Sequence, residues 1–326
     1  MISCAMLRGT SRALLRRACR PLPGAALRRQ APCALLSSRF SEEEMANHQW
    51  RQLNHIWTQD ELRDRMANLS RHEPQSPSDF IMKGIMNTMY HSFNLVTGYR
   101  ENNPSAKSIE WRLIILESFA GVPGFLAAMY RHFYSLRALQ RDHGMIFTLL
   151  EEAENERMHL LVCLKMFDAS LVTRALVVAA QLTMTPFLAL IYAIKPQAMH
   201  RFVGYLEETA VHTYSNVIQH VEKEGTELHE AWATLPAPAI AKSYWRLADD
   251  ALWVDALKRM LADEAHHRDV NHTFASLPTG AENPFIHEHM ADFDKAAFYR
   301  SEKILRASLE RQQQHQGDLP SSVAKK

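Results

Sequence analysis

The sequence predicts an all-α fold, a four-helix bundle with two further apolar helices laid against it. Apolar residues recur at three- and four-residue steps through most of the stretch between Asp79 and Ser276, the period of a helix with one buried face. Proline, glycine and asparagine clusters cut this stretch into long pieces, and no piece alternates with the two-residue period of a strand.

The elements follow in order. Before Glu42 there is no acidic residue, yet Arg8, Arg12, Arg16, Arg17, Arg20, Arg28, Arg29 and Arg39 are present among leucine, alanine and serine. Residues 1–40 therefore read as a mitochondrial import presequence; a merely basic arm is the alternative. Residues 41–77 are polar and aperiodic, an arm ending in the linker His72-Glu73-Pro74-Gln75-Ser76-Pro77. From Asp79 to about 97, Phe80, Ile81, Ile85, Met86, Met89, Tyr90 and Phe93 make an apolar stripe, which Asn102-Asn103-Pro104-Ser105 ends. A helix from about 108 to 140 meets another, about 145 to 167, across a turn at Arg141-Asp142-His143-Gly144, short enough to make them antiparallel neighbours. Within about 170–195, Ala175 to Ile194 is apolar except for Gln181, Thr183, Thr185 and Pro186. Helices follow at about 197–223 and, with room for an early break, 240–276. The bundle thus spans 78–277, and 278–326 is a polar, partly disordered extension.

The formal net charge of +1 gives no reason to expect nucleic acid as a partner. Of four cysteines, Cys4, Cys19 and Cys33 fall in the presequence and Cys163 stands alone, so an internal disulfide or a cysteine metal cluster is excluded from the mature chain. Any metal must rest on Glu, Asp and His, a donor set that suits iron or manganese better than structural zinc.

Glu-x-x-His occurs twice, at Glu156–His159 and Glu264–His267. Residues i and i+3 share a helix face, so each pair can grip one ion. One such motif alone reads most simply as a solvated face. Two on long helices, with inward glutamates Glu117 and Glu207 on two others, compose the di-iron site of a ferritin-like bundle. Four carboxylates on apolar faces cost several kcal/mol each unless cations neutralise them. Asp263 and His266 share the same spacing, but Glu264 and His267 continue the face of Leu257, Met260 and Leu261. Asp263 is therefore placed behind the ligands, accepting a hydrogen bond from a histidine's free N–H. Glu151, Glu152 and Glu154 are expected on the solvent side, although Glu152 lies one turn before Glu156 and can approach the site.

These segments resemble the alternative oxidase family, the cyanide-insensitive ubiquinol oxidases of mitochondria, with the pattern nearest its trypanosome-type members. The resemblance runs from about Phe80 to Phe274. It rests on Leu116-Glu117 with Ala120 and Val122-Pro123-Gly124, on Asn155 to Leu160, on Leu206 to Ala210, and on Ala262 to His272. It implies two iron ions held by Glu117, Glu156, His159, Glu207, Glu264 and His267, a redox-active tyrosine at Tyr214, and supporting residues Asn155, Asp263, Tyr244 and Trp245. It also implies a ubiquinol pocket at Arg112, Leu116 and Thr213, and a homodimer. From the residues alone Tyr214 would be a core aromatic. Thr209 stands where the family has a glutamate, Leu261 where it has an arginine, and the mature chain lacks the N-terminal regulatory cysteine of plant members.

Ala175 to Ile194 is long enough to cross a bilayer. It joins the helix of Glu156 and His159 to that of Glu207, however, and a crossing would part ligands of one centre by about 30 Å. The sequence thus predicts monotopic attachment, with 79–97 and 170–195 lying on the membrane surface; an ordinary buried helix is the alternative. The activity implied is a ubiquinol oxidase that reduces O₂ to water without pumping protons, on the matrix side of the mitochondrial inner membrane. Its rivals are a di-iron quinone-biosynthesis hydroxylase, a ferritin-like iron-storage protein and a structural membrane-surface protein.

Overall fold

The computed structural model describes residues 56–278 and 280–286, all within one compact unit, Glu42–Lys326. The presequence and the C-terminal extension beyond 286 lie outside the described residues. Apart from one isolated bridge between Pro236 and Leu252, the described residues form helices and loops. In chain order these are α1 (Gln59–Ala67), α2 (Pro77–Thr97), α3 (Ala106–Ala138), α4 (Met145–Met166), α5 (Leu171–Ile194), α6 (Pro196–Glu222), α7 (Glu227–Trp232), α8 (Ala239–Tyr244) and α9 (Trp253–Ser276).

Two tightly packed pairs, α3 with α4 and α6 with α9, make the bundle. Gly124 explains how closely the first pair approaches: a Cβ there would stand 2.7 Å from the Leu149 carbonyl oxygen, a backbone atom that cannot swing away. Helix boundaries follow local chemistry. Ser76 caps α2 by accepting from the Asp79 N–H at 3.2 Å, Pro77 supplies a preset φ at its first turn, and Gly98 ends it at φ 68°. Ser170 caps α5 in the same way, and Pro196 opens α6.

One feature departs from the sequence reading, and another is the early break for which it left room. The stretch read as an aperiodic arm contains α1, closed by a capping box in which Thr58 and Glu61 satisfy each other's backbone N–H. The last predicted helix is two, α8 and α9, parted by residues 245–252. There Arg246 takes φ 53° and the Leu252 N–H is caught by Asp255.

Helices α2 and α5 flank the bundle, packing on α3 and α6. Only Thr173, Leu188 and Tyr192 of α5 are buried, and Leu171, Val172, Val178, Leu182, Leu190 and Ile194 stand exposed. This is not the surface of an ordinary buried bundle helix. Helix α2 exposes Phe80, Ile81, Leu95 and Val96 while burying Met82 and Met86. Helix α3 is also long and apolar enough to cross a membrane, but most of its apolar window is buried.

Candidate metal centre

Each bundle helix brings acid to the centre: Glu117 from α3, Glu156 with His159 from α4, Glu207 from α6, and Glu264 with His267 from α9. All six are buried, none more than 5 % exposed. They form two cups, Glu117–Glu156–His159–Glu264 and Glu156–Glu207–Glu264–His267, with the donor atoms of each cup within 4.8 Å of one another. Glu156 and Glu264 belong to both. His159 Nδ1 lies 3.2 Å from Glu264 Oε1, 3.4 Å from Glu117 Oε2 and 3.6 Å from Glu156 Oε2. His267 Nδ1 lies 2.6 Å from Glu156 Oε1.

Glu117 Oε2, both Glu156 oxygens and both facing imidazole nitrogens have no hydrogen-bond partner, although each atom is buried. Such atoms need a cation or a proton. Burial pushes Glu156 and Glu264 up to about 7 and Glu207 well above the carboxylate range, with neighbouring carboxylates adding to the rise. For His159, burial acts to lower its pKa, but Asp263, Glu117, Glu156 and Glu264 outweigh it and hold the ring well above 6.5. Four glutamates and two histidines in two cups sharing two carboxylates fit a pair of hard or borderline divalent cations.

Behind the cups, Asp263 is surrounded by donors. Its Oδ2 accepts from His159 Nε2 at 3.0 Å, Trp245 Nε1 at 2.9 Å and Asn155 Nδ2 at 3.1 Å, and its Oδ1 accepts from Trp57 Nε1 at 2.6 Å. The first of these leaves Nδ1 of His159 facing the cup. Tyr244 accepts from Asn155 Nδ2 at 2.9 Å. His266 packs near Trp57 and Phe285 and belongs to neither cup, whereas α9 turns Glu264 and His267 toward the cups. Tyr214, 3 % exposed, donates to Glu117 Oε1 at 2.6 Å; burial and that carboxylate hold its phenol well above the usual range.

Arg112, Leu116 and Thr213 all line one apolar cavity of about 380 Å³, bounded by α2, α3, α5 and α6. Its inner end is walled by Glu117, Glu207, Glu264 and Tyr214. Arg112 is buried, donates to Asn94 Oδ1 at 2.6 Å, and sits over the rings of Tyr90, Phe93 and Tyr99 at 5.2, 4.9 and 4.5 Å. Thr209 also lines this cavity, its hydroxyl donating to the Leu206 carbonyl. Leu261 is buried in the core.

The structure adds residues and corrects others. Trp57 was not singled out from the sequence. Glu151 and Glu152, expected on the solvent side, are buried, and Glu154 pairs with Arg157 at the surface. Glu152 accepts from Asn271 Nδ2 at 2.8 Å, Asn271 Oδ1 lies 3.0 Å from His200 Nδ1, and burial raises Glu152 to about 7. The one-turn spacing from Glu152 to Glu156 was the signal for it.

The sequence model of the Alternative oxidase family matches residues 57–276. The chain belongs to the alternative oxidase family. Among its relatives, a mitochondrial alternative oxidase of Emericella nidulans is 41 % identical over 245 residues, covering 72 % of this chain and 68 % of its own. The mitochondrial alternative oxidase of Cryptococcus neoformans is 36 % identical over 288 residues, 81 % of this chain and 71 % of its own. That of Neurospora crassa is 37 % identical over 254 residues, 72 % and 69 % of the two chains. As an alternative oxidase, the chain carries its buried Glu–His cluster inside the matched region.

Proposed function

We propose that the protein is a mitochondrial ubiquinol oxidase that reduces O₂ to water without moving protons across the membrane. The observation that carries this reading is the cavity: one apolar space joins Arg112 and the α2–α5 flank to the glutamates of the metal cluster. A quinol head can be held there by the Arg112 guanidinium, with carbon-lined walls excluding water around it. Glu117, Glu156, His159, Glu207, Glu264 and His267 would hold two irons, which supply the O₂ chemistry and the electron path. Iron is preferred to manganese for that O₂ chemistry, since the donor set suits both.

The attachment follows from chain geometry. Helix α5 joins α4 to α6, whose ligand candidates share a cup, so it does not cross a bilayer core of about 30 Å. Its exposed leucines and valines, with Phe80, Ile81, Leu95 and Val96 of α2, instead suit a monotopic seat on the matrix face of the inner membrane, beside a lipid-dissolved substrate. A second apolar face, Phe125, Met129, Phe133 and Leu136 of α3 with Phe147 and Leu150 of α4, supports a homodimer.

The purified protein is expected to hold two irons per chain and to consume O₂ with a ubiquinol analogue in the presence of cyanide. Full activity without iron, or a hydroxylated ring as product, would sink this reading. Tyr214→Phe is expected to keep both metals and lose turnover by on the order of 10²-fold, because it removes a proton donor 2.6 Å from Glu117. Metal analysis and oxygen uptake on one sample check it; unchanged turnover would reduce Tyr214 to a core aromatic.

A further inference from the structure

Oxidising a quinol releases two protons with its two electrons. The electrons have a destination at the inner end of the cavity, but the walls are almost wholly carbon. Arg112 has no acceptor capacity. The hydroxyls of Thr209 and Thr213 donate to the carbonyls of Leu206 and Thr209, where a proton can travel no further. Tyr214 leads to Glu117, back into the cluster, to which Glu207 and Glu264 at the inner end also belong.

Tyr90 is different. Its side chain lines the apolar cavity and also a polar cavity of about 310 Å³ on the other flank of α2, shared with Lys83, His91, Glu101, Glu208 and His212. Its hydroxyl donates to Glu101 Oε1 at 2.7 Å. The Glu101 side chain is 49 % exposed, and both residues also border a third hollow open to solvent. Here is a side chain that lines the substrate cavity, with its hydroxyl proton already held by a carboxylate in contact with water.

Building on the ubiquinol oxidase reading above, we propose that Tyr90 and Glu101 form the relay that carries quinol protons out of the cavity. In each transfer the quinol O–H bond breaks and a new O–H bond forms on the Tyr90 oxygen. The original Tyr90 proton passes to Glu101 Oε1, and Glu101 releases it to water. The phenol ends as a phenol. Two transfers clear the two protons of one quinol, while its two electrons leave toward the O₂-reducing centre. The phenol acts by this hand-over rather than by ionising, since burial and the Glu101 contact raise its pKa to about 12. The charged and titratable groups around the pair are Arg112 on α3, Tyr99 and Arg100 in the α2–α3 loop, Arg71 ahead of α2, Lys83 and His91 on α2, and Glu208 and His212 on α6; His212 Nε2 lies 3.8 Å from Glu101 Oε1.

The test compares wild type with Tyr90→Phe, Glu101→Gln and Glu101→Asp, all full-length and iron-loaded, with a soluble ubiquinol analogue. Steady-state kcat and KM are measured against pH in H₂O and D₂O. Tyr90→Phe keeps the ring beside Arg112 and removes the hydroxyl; Glu101→Gln keeps an acceptor oxygen and removes the basicity. Both are expected to lower kcat by at least about tenfold, to change its pH profile and to enlarge the solvent isotope effect, while Glu101→Asp recovers part of the rate. An effect confined to KM, or a loss in Tyr90→Phe without one in Glu101→Gln, overturns the relay. If wild type oxidises no quinol, the reading it rests on fails too; active wild type with unaffected variants removes the relay alone.

Discussion

Replacing Glu264 with glutamine is expected to abolish paired metal binding and, in the same molecule, to stabilise the metal-free protein. Glu264 belongs to both cups, so its loss removes an oxygen donor from each. Without metal the same carboxylate is a burden, because burial and Glu156 raise it from 4.5 to about 7. A carboxylate with a raised folded-state pKa costs nothing below 4.5, where both states are protonated. The cost grows as pH rises through that interval and is complete above about 7. The shift corresponds to about 3 kcal/mol at most, shared with the neighbouring carboxylates. Metal-free wild type should therefore lose stability from acid to neutral pH, and Glu264→Gln should lose less. Metal binding displaces those protons, so the Tm difference between metal-loaded and metal-free wild type should widen over the same range. His200, pulled down to about 4 by burial, is outside both cups and largely cancels from that difference. Thermal denaturation of wild type and Glu264→Gln, each with and without added metal, at several pH values checks the claim. Two metals retained by Glu264→Gln, or a metal-free variant no more stable than wild type at neutral pH, would refute it.

How much of this was legible beforehand depends on whether a residue declares itself locally. Glu117, Glu156, Glu207 and Glu264 do, because an acid on an apolar face violates the expected pattern and the i, i+3 histidines say what offsets it. The register choice at Asp263–His267 was legible for the same reason, since the face of Leu257 and Met260 points inward. Helix α1 was not. It buries only Leu62 and is held by contacts from far along the chain, Trp57 Nε1 to Asp263 and Arg259 Nη1 to the Trp57 carbonyl at 2.6 Å. Glu151 and Glu152 were misplaced because an acidic run normally marks a solvated face. Here Asn271, from another helix, satisfies one Glu152 oxygen. Arg112, Leu116 and Thr213 came from resemblance alone. The cavity that unites them is made where α2 and α5 pack on α3 and α6, and no local pattern encodes that packing or the Tyr90–Glu101 contact.

Asp263 is the residue whose loss should cost most outside the cups. Four N–H groups converge on its two oxygens, and the side chain is 1 % exposed. Asp263→Ala strands all four donors in a dry interior. Breaking a buried charged network by removing one partner typically costs about 3–5 kcal/mol, and the protein should melt correspondingly lower. Asp263→Asn is the sharper test because it preserves shape. Placed at the Oδ1 position, its NH₂ would face the Trp57 N–H; placed at Oδ2, it would face His159, Trp245 and Asn155. Either orientation sets donor against donor, so a fold that tolerates the volume still loses the hydrogen bonds. The consequence reaches the metal through His159. Its Nε2–H is directed to Asp263, so the nitrogen facing Glu117, Glu156 and Glu264, where a metal would replace a proton, is Nδ1. Without that acceptor the neutral ring can keep its one proton on Nδ1 rather than Nε2, and metal affinity should fall by about 10–100-fold. Trp57→Phe deletes only the Oδ1 bond and should lower stability while leaving metal affinity nearly intact. If Asp263→Asn instead binds metal as tightly as wild type, the carboxylate does not set the histidine's tautomer, and its place behind the cups is packing alone.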